Sequence, residues 1–482
     1  MLAVAAAHWP LGVLARNYWQ LVHPWRVALI IASSIVLSCM AAYVLTRMGV
    51  ARQVAVFTVL IATVVFTRGG PLFDGFHGLV GWLVLASLPV AAYLLARRMR
   101  GDPAIDVVSP VLVVALASGP VIVGYDAVST TGESLVETVN FSPVDLVEKP
   151  DVFLVVLDGY PGLQAIGQEL GVNKDELVSD LAGKGFEVPP SAWSAYGTTE
   201  LAVPSILNMS YPLIGQEINN GTRQELHRII GGDNSLLSTL ERNGYESVMI
   251  EAGWAGSECG PEFDRCIDSP WLDDLAFISL WEGVVGRQLV KTTGHAYTVA
   301  SRASMTAVER LIDEEADQPR FVFAHVIAPH PPFFLDPDCA TEVTAERLGD
   351  SFLREGVDRS LREDLFLGQV ACVDSFMTDV AAAADPDDVV VFVADHGTDR
   401  RKHLLDQGVA DARALVERMN VFVAARLPAD CQLPGELLTV NLMRLVLSCY
   451  THSPIELLSP RMFLPGQLEV TRAEIERLMS GS

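Results

Sequence analysis

The residues best suited to chemistry in this sequence are the adjacent Asp395 and His396. They follow an apolar, mostly β-branched run, residues 389–394, and they precede Gly397. Such a run is typical of a buried parallel strand that delivers polar groups at its carboxyl end. Because Asp and His can both be deprotonated ligands at neutral pH, the pair favours a divalent metal site. The alternative is a strand that ends in a solvated Asp-His turn.

A second apolar run and a hydroxyl-rich segment supply further candidate groups. Residues 152–157 are apolar and lead into Asp158, and the segment 197–199 (Gly-Thr-Thr) precedes an apolar helical run. Two threonines in this position could serve only as a helix N-cap. They could instead place a hydroxyl where backbone N–H groups and the helix dipole stabilise an anion. A metal that contacts the Thr199 hydroxyl would lower its pKa and make it a nucleophile.

The elements around these residues alternate between strand and helix patterns. Further strands are predicted at residues 247–250 and 321–327, and helices at residues 174–184, 235–242, 362–384 and 437–447. This alternation predicts an α/β fold, a mostly parallel sheet with helices on both faces. Open α/β sheets place their sites at the carboxyl edge, which would bring Asp158 beside Asp395 and His396.

The N-terminal part of the chain is apolar and reads as membrane-spanning. A stretch of about 20 apolar residues is long enough to cross a bilayer, and arginines bracket several of these segments. The predicted spans are residues 27–46, 53–67, 79–96 and 107–124, with residues 1–14 as an interfacial segment or a fifth span. We therefore predict a bundle of about four transmembrane helices at 1–124, a linker at 125–150 and a catalytic domain at 151–482.

Charge separates these regions and limits the function. Residues 1–124 contain eight Arg, no Lys and three acidic residues, a net charge of +5, so the remainder carries −30 of the total of −25. Arginines in the loops 47–52 and 97–100 place those loops in the cytoplasm, which predicts a multi-pass cell-membrane protein with an extracytoplasmic catalytic domain. The acidity argues against nucleic acid as a partner. The spans lack acidic residues and His, which disfavours a transporter.

The cysteines support an extracytoplasmic domain. Of seven, Cys39 lies in an apolar run, and the other six form three local pairs, which are Cys259 with Cys266, Cys339 with Cys372, and Cys431 with Cys449. An even number in this context predicts disulfides. A zinc site would need closer Cys or His spacing.

Four segments in order resemble the alkaline phosphatase superfamily, and within it the membrane-anchored sulfatase-like branch that includes lipoteichoic acid synthases and phosphoethanolamine transferases. The segments are the strand ending at Asp158, Gly197 to Thr199 with Val203-Pro204, Pro329 to Phe333, and Val393 to Gly397. The resemblance covers about residues 151–427. It implies an alkaline-phosphatase-like or sulfatase-like α/β/α sandwich.

The resemblance also implies roles for individual residues. Thr199 would be the nucleophile, and Asp158, Thr199, Asp395 and His396 would hold one divalent ion, Zn or Mn, with Mg and Ca as alternatives. His330 would contact the transferred group or protonate the leaving oxygen. No organic cofactor is expected. The first ligand is Glu in the transferases and Asp here, which leaves the subfamily open.

Several residues could contact the substrate. Arg400 and Arg401 form a cationic segment that is either an anion clamp or a solvated basic loop, and His403 follows it. Trp254 could cover a substrate head group. His325, five residues before His330, is expected to be a core residue.

The predicted reaction is the ping-pong transfer of a phospho-head group from a membrane phospholipid to a cell-envelope acceptor through phosphothreonine, or phosphodiester hydrolysis. A sulfatase is the alternative within the same fold. The usual sulfatase motif, Cys/Ser-x-Pro-x-Arg, is absent around Thr199. A non-catalytic membrane-anchored relative is the third hypothesis.

Overall fold

The computed structural model describes two separate units of the chain. The described residues are 24–68, 87, 90–91, 93–94, 97–98, 133–137, 141–252, 256–268, 297–331, 333, 335–340, 359–398, 400–406, 411–429, 431–452, 454–464 and 469–480. One unit holds those up to residue 98 together with Tyr297, and the other holds the rest. The predicted domain boundaries stay a prediction.

A seven-stranded sheet forms the centre of the second unit. Its strand order is β2-β8-β7-β1-β6-β4-β5. β1, β4, β5, β6 and β7 are parallel to their neighbours within this group, and β8 is antiparallel to both β7 and β2. Two small sheets pair β3 with β9 and β10 with β11. The strands are β1 (Val152–Leu157), β2 (Phe186–Glu187), β3 (Ser191–Trp193), β4 (Glu246–Ile250), β5 (Arg265–Ile267), β6 (Arg320–Val326), β7 (Val389–Ala394), β8 (Val423–Arg426), β9 (Glu436–Leu438), β10 (Met462–Phe463) and β11 (Glu469–Val470).

The position of β1 explains why its sequence is apolar throughout. It lies between β6 and β7, and all six of its residues are buried. A strand covered on both faces has no side that favours polar residues. Leu157 pairs with Val326 on one side and with Ala394 on the other, so the carboxyl ends of the three strands coincide. The predicted mostly parallel α/β sheet is confirmed.

The predicted helices at residues 174–184, 235–242 and 362–384 agree closely with observed helices. The observed helices are α1 (Pro24–Arg47), α2 (Arg52–Arg68), α3 (Leu163–Leu170), α4 (Asp175–Gly183), α5 (Thr199–Asn208), α6 (Asn220–Ile230), α7 (Ser235–Arg242), α8 (Tyr297–Ile312), α9 (Arg359–Ala383), α10 (Lys402–Asp406), α11 (Ala412–Met419), α12 (Leu442–Ser448) and α13 (Arg472–Ser480). α9 packs on the sheet through Phe376, whose ring centroid lies 6.3 Å from that of Phe392.

The predicted helix at residues 437–447 is wrong in its first part. Glu436–Leu438 is strand β9, which pairs with Ser191–Trp193, and the 3₁₀ turn Thr439–Asn441 follows. The α-helix begins only at Leu442. Pairing with a distant strand overrides the local apolar pattern, since strand propensity depends on the neighbours that a segment finds.

The described part of the predicted linker is attached to the second unit. The Leu135 amide donates to Thr222 Oγ1 at 3.0 Å, and the Leu146 amide donates to Asn243 Oδ1 at 2.9 Å. Leu146 is also part of the hydrophobic core. Residues 133–137 and 141–150 therefore pack as part of this unit.

The prediction of disulfides is confirmed, and the bonds join the three local pairs. Their Cα–Cα distances are 5.9 Å for Cys259–Cys266, 4.9 Å for Cys339–Cys372 and 5.8 Å for Cys431–Cys449. Cys39 is exposed and unpaired in α1.

The described helices cover only part of the predicted membrane region. α1 and α2 occupy the first two predicted spans. Residues 1–14, the fourth span and most of the third lie outside the described residues. Among the described residues, one helical segment is both long and apolar enough to cross a bilayer, Glu363–Ala383 in α9. It is 56% buried and packs on the sheet, as core helices do, so the four-span bundle and the multi-pass topology stay predictions.

Candidate metal centre and nucleophile

Asp158 and Asp395 lie at the carboxyl ends of two adjacent strands, β1 and β7. Asp395 Oδ1 accepts hydrogen bonds from the His396 amide at 2.8 Å and the Gly159 amide at 3.1 Å. Gly159 has a φ of 75°, a backbone conformation that favours glycine, and this turn aims its N–H at Asp395. One oxygen of Asp395 is therefore fixed by backbone, and the other, Oδ2, lies 3.4 Å from His396 Nε2.

Gly397 follows the Asp-His pair at a position where no side chain fits. A Cβ atom at this position would lie 2.0 Å from the carbonyl oxygen of Glu417. The Gly397 amide donates to the Arg418 carbonyl at 2.7 Å. The Asp-His-Gly sequence therefore combines two polar groups with the close backbone approach that holds them in place.

His396 directs its Nε2 atom toward the other candidate groups. Its Nδ1 lies 2.8 Å from the Gly397 carbonyl oxygen. Since a carbonyl can only accept, Nδ1 carries the hydrogen, and in the neutral ring the lone pair is on Nε2. Nε2 lies 3.6 Å from Asp158 Oδ1 and 3.2 Å from Thr199 Oγ1.

Thr199 is the first residue of α5, so its hydroxyl lies at a helix N-terminus. The preceding Thr198 occupies the N-cap position, but its side chain makes no capping hydrogen bond. A helix N-cap role therefore explains the hydroxyl of neither Thr198 nor Thr199. Unpaired N–H groups of the first helical turn and the helix dipole favour negative charge at this position.

His325 is the site residue that sequence reasoning missed. The expectation of a core residue is right about its burial, yet its Nε2 lies 3.4 Å from Asp158 Oδ2. Its Nδ1 lies 2.8 Å from the Ser257 hydroxyl, which orients the ring. The available signal was an imidazole near the carboxyl end of an otherwise apolar strand. His325 pairs with Val156, two residues before Asp158.

The donor atoms of this cluster fit a divalent metal ion. Asp158 Oδ1 and Oδ2, Asp395 Oδ2 and His325 Nε2 are buried and make no hydrogen bonds within the described structure. One ligand atom each from Asp158, His325 and Asp395 lie within 4.8 Å of one another. Buried carboxylates without donors are costly unless a cation compensates them. Oxygen and imidazole donors suit Zn and Mn.

Electrostatic coupling within the cluster shifts two pKa values in opposite directions. Burial raises the pKa of Asp158, but the charges of His330 and His396 and the contact with His325 outweigh it and hold the pKa below its usual range. Burial lowers the pKa of His325, but Asp158 and Asp395 outweigh it and raise the pKa above its usual value. Both pKa shifts show that the cluster favours positive charge beside the carboxylates, as a cation site requires.

His330 lies beside the Asp158 strand end and is only partly buried. A Cβ built on Gly159 would lie 3.8 Å from His330 Cα, so the two backbones are adjacent. The His330 carbonyl accepts from Gln369 Nε2 at 3.0 Å, and its ring Nδ1 lies 2.6 Å from the Pro331 carbonyl oxygen. The His330 ring is therefore oriented by backbone and partly accessible.

Arg400 and Arg401 lie in ion pairs with buried carboxylates. Arg401 Nη1 contacts Glu169 Oε2 at 2.6 Å and Glu417 Oε1 at 2.7 Å. Arg400 Nη1 contacts Glu417 Oε1 at 3.1 Å, and Arg400 Nη2 contacts Glu363. An anion clamp would have to compete with these contacts, and it stays a prediction.

Two other predicted substrate contacts have no described side chain. His403 lies in α10, where its side chain is outside the description, and Trp254 lies outside the described residues. Their predicted roles remain untested.

Several solved structures are similar to this chain at low sequence identity. The integral membrane lipooligosaccharide phosphoethanolamine transferase A of Neisseria meningitidis is 12% identical over 93% of this chain and 94% of its own, with a TM-score of 0.40. A protein of the alkaline phosphatase superfamily from Vibrio parahaemolyticus is 14% identical over 70% and 80%, with a TM-score of 0.42. The C-terminal periplasmic domain of EptC from Escherichia coli, in complex with Zn, is 11% identical over 59% and 76%, with a TM-score of 0.35. These likenesses are too distant to assign a substrate.

A match to a protein-family model assigns this chain to a family. No curated protein sequence matches the chain. The model of the family described as Sulfatase matches residues 150–417, which is more than half of the 482 residues. This range contains Asp158, Thr199, His325, Asp395 and His396. The predicted relationship to the sulfatase-like branch of the alkaline phosphatase superfamily is therefore confirmed, and this chain belongs to the sulfatase family.

Proposed function

We propose that this protein is a membrane-anchored, metal-dependent phosphotransferase or phosphodiesterase in which Thr199 is the nucleophile. The observation that carries the proposal is the 3.2 Å approach of Thr199 Oγ1 to His396 Nε2. These atoms lie next to the buried carboxylates of Asp158 and Asp395. A hydroxyl at a helix N-terminus, beside carboxylate and imidazole groups that could hold a metal ion, has the arrangement that nucleophilic phosphoryl transfer needs.

The chain's own residues supply the steps of a double displacement. Thr199 gives its hydroxyl proton to solvent and its Oγ attacks phosphorus in line, so that the new bond to phosphorus forms as the bond to the leaving oxygen breaks. His330 gives a proton to the leaving oxygen. An acceptor hydroxyl or water then gives its proton to His330 and attacks the same phosphorus, and the bond between phosphorus and Thr199 Oγ breaks, so that Thr199 takes a proton back from solvent. A divalent ion held by Asp158, Thr199, Asp395 and His396, with His325 as a further donor, would lower the pKa of the hydroxyl and neutralise the phosphoryl oxygens.

Sulfate ester hydrolysis is the second candidate, because the matching family is described as Sulfatase. The usual sulfatase nucleophile is a formylglycine made from Cys or Ser. Thr199 carries a methyl group on Cβ, so its oxidation would give a ketone and not an aldehyde. The residue type therefore favours phosphoryl transfer by an unmodified hydroxyl.

The surface of α1 supports membrane anchoring and a lipid-borne donor. Five large apolar side chains lie along this helix at i, i+1, i+4, i+7 and i+8, each 49–65% exposed, and they are Val36, Leu37, Met40, Tyr43 and Val44. An exposed apolar stripe of this size is unfavourable in water and suits hydrocarbon. The three disulfides support an extracytoplasmic catalytic unit. We accordingly propose a phospholipid donor and a cell-envelope acceptor.

The test is a search for a covalent intermediate on Thr199. The purified full chain, loaded with Zn²⁺, is incubated with vesicles of phosphatidylethanolamine and phosphatidylglycerol and analysed by peptide mass spectrometry. We expect a phospho-head group on the Thr199 peptide that chelation prevents.

Two variants separate the neighbouring hydroxyls. Thr199→Ala should lose the adduct and lower turnover at least about a thousandfold, as loss of a nucleophile does. Thr198→Ala, the matched control, should keep the adduct. Undiminished turnover by Thr199→Ala would refute the nucleophile assignment, and release of sulfate from an aryl sulfate by the wild type alone would favour the second candidate.

A further inference from the structure

We propose that Arg418 is a positioning residue that clamps the nucleophile segment to the metal-ligand segment. Arg418 is 3% exposed, and its guanidinium lies between two backbone carbonyl groups. Nε donates to the Gly197 carbonyl at 2.7 Å, and Nη1 donates to the Gly397 carbonyl at 3.3 Å. Gly197 precedes Thr199 by two residues, and Gly397 directly follows His396. One side chain therefore connects the two loops whose groups meet in the site.

The contact with Gly397 also bears on the orientation of His396. The Gly397 carbonyl oxygen receives both the Arg418 Nη1 donor at 3.3 Å and His396 Nδ1 at 2.8 Å. A carbonyl has two lone pairs, so both donors can be accommodated. By holding this carbonyl in place, Arg418 keeps the hydrogen on Nδ1 and the lone pair on Nε2. Outer-shell hydrogen bonds of this kind set the tautomer and direction of metal-ligating imidazoles.

The backbone around Arg418 makes the clamp rigid. Its own carbonyl accepts from the Gly397 amide at 2.7 Å, and the Glu417 carbonyl accepts from the Thr398 amide at 2.8 Å. On the nucleophile side, the Ser194 hydroxyl donates to the Asp395 carbonyl, and the Ser194 amide donates to the Met419 carbonyl at 2.8 Å. The guanidinium thus acts between segments that are already close, where a small shift would change the distance from Thr199 to His396.

Lysine cannot reproduce this arrangement. Arginine presents donors from separate nitrogens in a planar fork, whereas lysine ends in a single ammonium group on a flexible stem. Arg418→Lys therefore keeps the charge and removes the two-point contact. Arg426 is a matched control, because it is 6% exposed and also donates to backbone carbonyls. Its partners, Ala384, Asp385 and Asp388, lie at the opposite end of β7.

The experiment compares the wild type, Arg418→Lys and Arg426→Lys as full chains. Histidine-selective ¹⁵N labelling reports the His396 tautomer in metal-free protein, with His396→Gln used to assign its signals. Zn²⁺ titration reports affinity, and urea unfolding reports stability. We expect both variants to be less stable than the wild type. Only Arg418→Lys should show a mixture of His396 tautomers and a Zn²⁺ affinity reduced about 10- to 100-fold.

The His396 tautomer tests the clamp, and Zn²⁺ binding by the wild type tests the proposed function. The catalytic role of the clamp rests on that proposed function. A pure Nδ1–H tautomer in Arg418→Lys overturns the clamp, whatever the metal result. A wild type that binds no Zn²⁺ counts against the metal-dependent function, while the tautomer comparison still decides the clamp. If Arg418→Lys does not fold, Arg418→Gln replaces it. Failure of both to fold, where Arg426→Lys folds, would make Arg418 a structural residue and refute the proposal.

Discussion

Buried carboxylates at the two ends of the central sheet differ in their hydrogen-bond partners. At the amino end of β1, Arg320 forms a bidentate pair with Asp151, with Nε and Nη2 at 2.8 and 2.7 Å from Oδ2. The Arg320 amide also donates to Asp151 Oδ1 at 2.7 Å. At the carboxyl end of the same strand, both oxygens of Asp158 are buried without a hydrogen-bond donor in the described structure.

This difference distinguishes a carboxylate with a structural partner from a candidate metal ligand at the two ends of one strand. Asp151 and Asp158 are the same residue type, seven positions apart, and both adjoin the same apolar run. At the amino end, Arg320 compensates the carboxylate of Asp151 within the fold, and buried polar groups are usually paired in this way. At the carboxyl end, the oxygens of Asp158 lack hydrogen-bond donors in the described structure, which costs free energy that a bound divalent cation would recover.

The largest effect should follow from breaking the amino-end pair. Arg320→Leu leaves Asp151 mostly buried without its cation, which should lower the free energy of unfolding by about 3–5 kcal/mol. Urea unfolding followed by tryptophan fluorescence measures the change. Arg228→Leu is the control, because Arg228 is 62% exposed and its ion pairs should contribute at most about 1 kcal/mol. Equal losses in the two variants would contradict the distinction between the buried and the exposed pair.

A smaller, metal-dependent effect should appear at the carboxyl end. At free Zn²⁺ of about 100 times Kd, binding should stabilise the wild type by about 2.7 kcal/mol. Asp158→Asn should lose this increment because it removes a charged ligand. Asp151→Asn should lower the baseline stability and keep the increment. Urea unfolding with and without Zn²⁺ tests both variants, and a Zn²⁺ increment retained by Asp158→Asn would show that the ion binds elsewhere.

The smallest effect concerns Asp388, at the amino end of β7. Burial, with a further contribution from Asp151, raises the pKa of Asp388 to about 6. Since this folded-state value lies above the unfolded value, the folded protein takes up a proton as pH falls from about 7 to 4 and becomes more stable. Asp388→Asn should therefore stabilise the protein at pH 7.5 by about 1 kcal/mol, after allowance for partial exposure.

The Asp388 effect has a pH signature. The stabilisation by Asp388→Asn should decrease as the pH falls below about 6 and vanish at about pH 3, where the carboxyl is protonated in both states. Thermal unfolding of the two proteins between about pH 3 and 8 measures it, with exposed Asp387→Asn as the control. A pH-independent difference would exclude the titration of Asp388 as its cause.

Much of the fold follows from local patterns. The strands at β1, β4, β6 and β7 were predictable within one residue, because continuous apolar runs bounded by polar groups have few alternatives. The helix α7 coincides with its predicted range, 235–242. The antiparallel strand β8 and the late start of α12 were not predictable, since each depends on pairing with a distant segment.

The candidate site was only partly predictable. The Asp-His pair, Asp158 and Thr199 were identified as chemical groups at the ends of predicted elements, and the structure brings them together. His325 was missed because a histidine inside a strand gives no sign of which neighbour it faces. Arg418 carries no sequence signal, because its partners are backbone carbonyls.

By itself the sequence determined four strands of the central sheet, three of the helices, the presence of disulfides and the chemical groups at the strand ends, because these depend on periodicity and residue type. The tertiary structure alone decided which charges are satisfied. Asp151 receives an arginine and Asp158 does not, while Arg401, a predicted anion-binding residue, lies against Glu169 and Glu417. The physical reason is that the fate of a buried charge depends on partners that only the folded chain brings within a few ångströms.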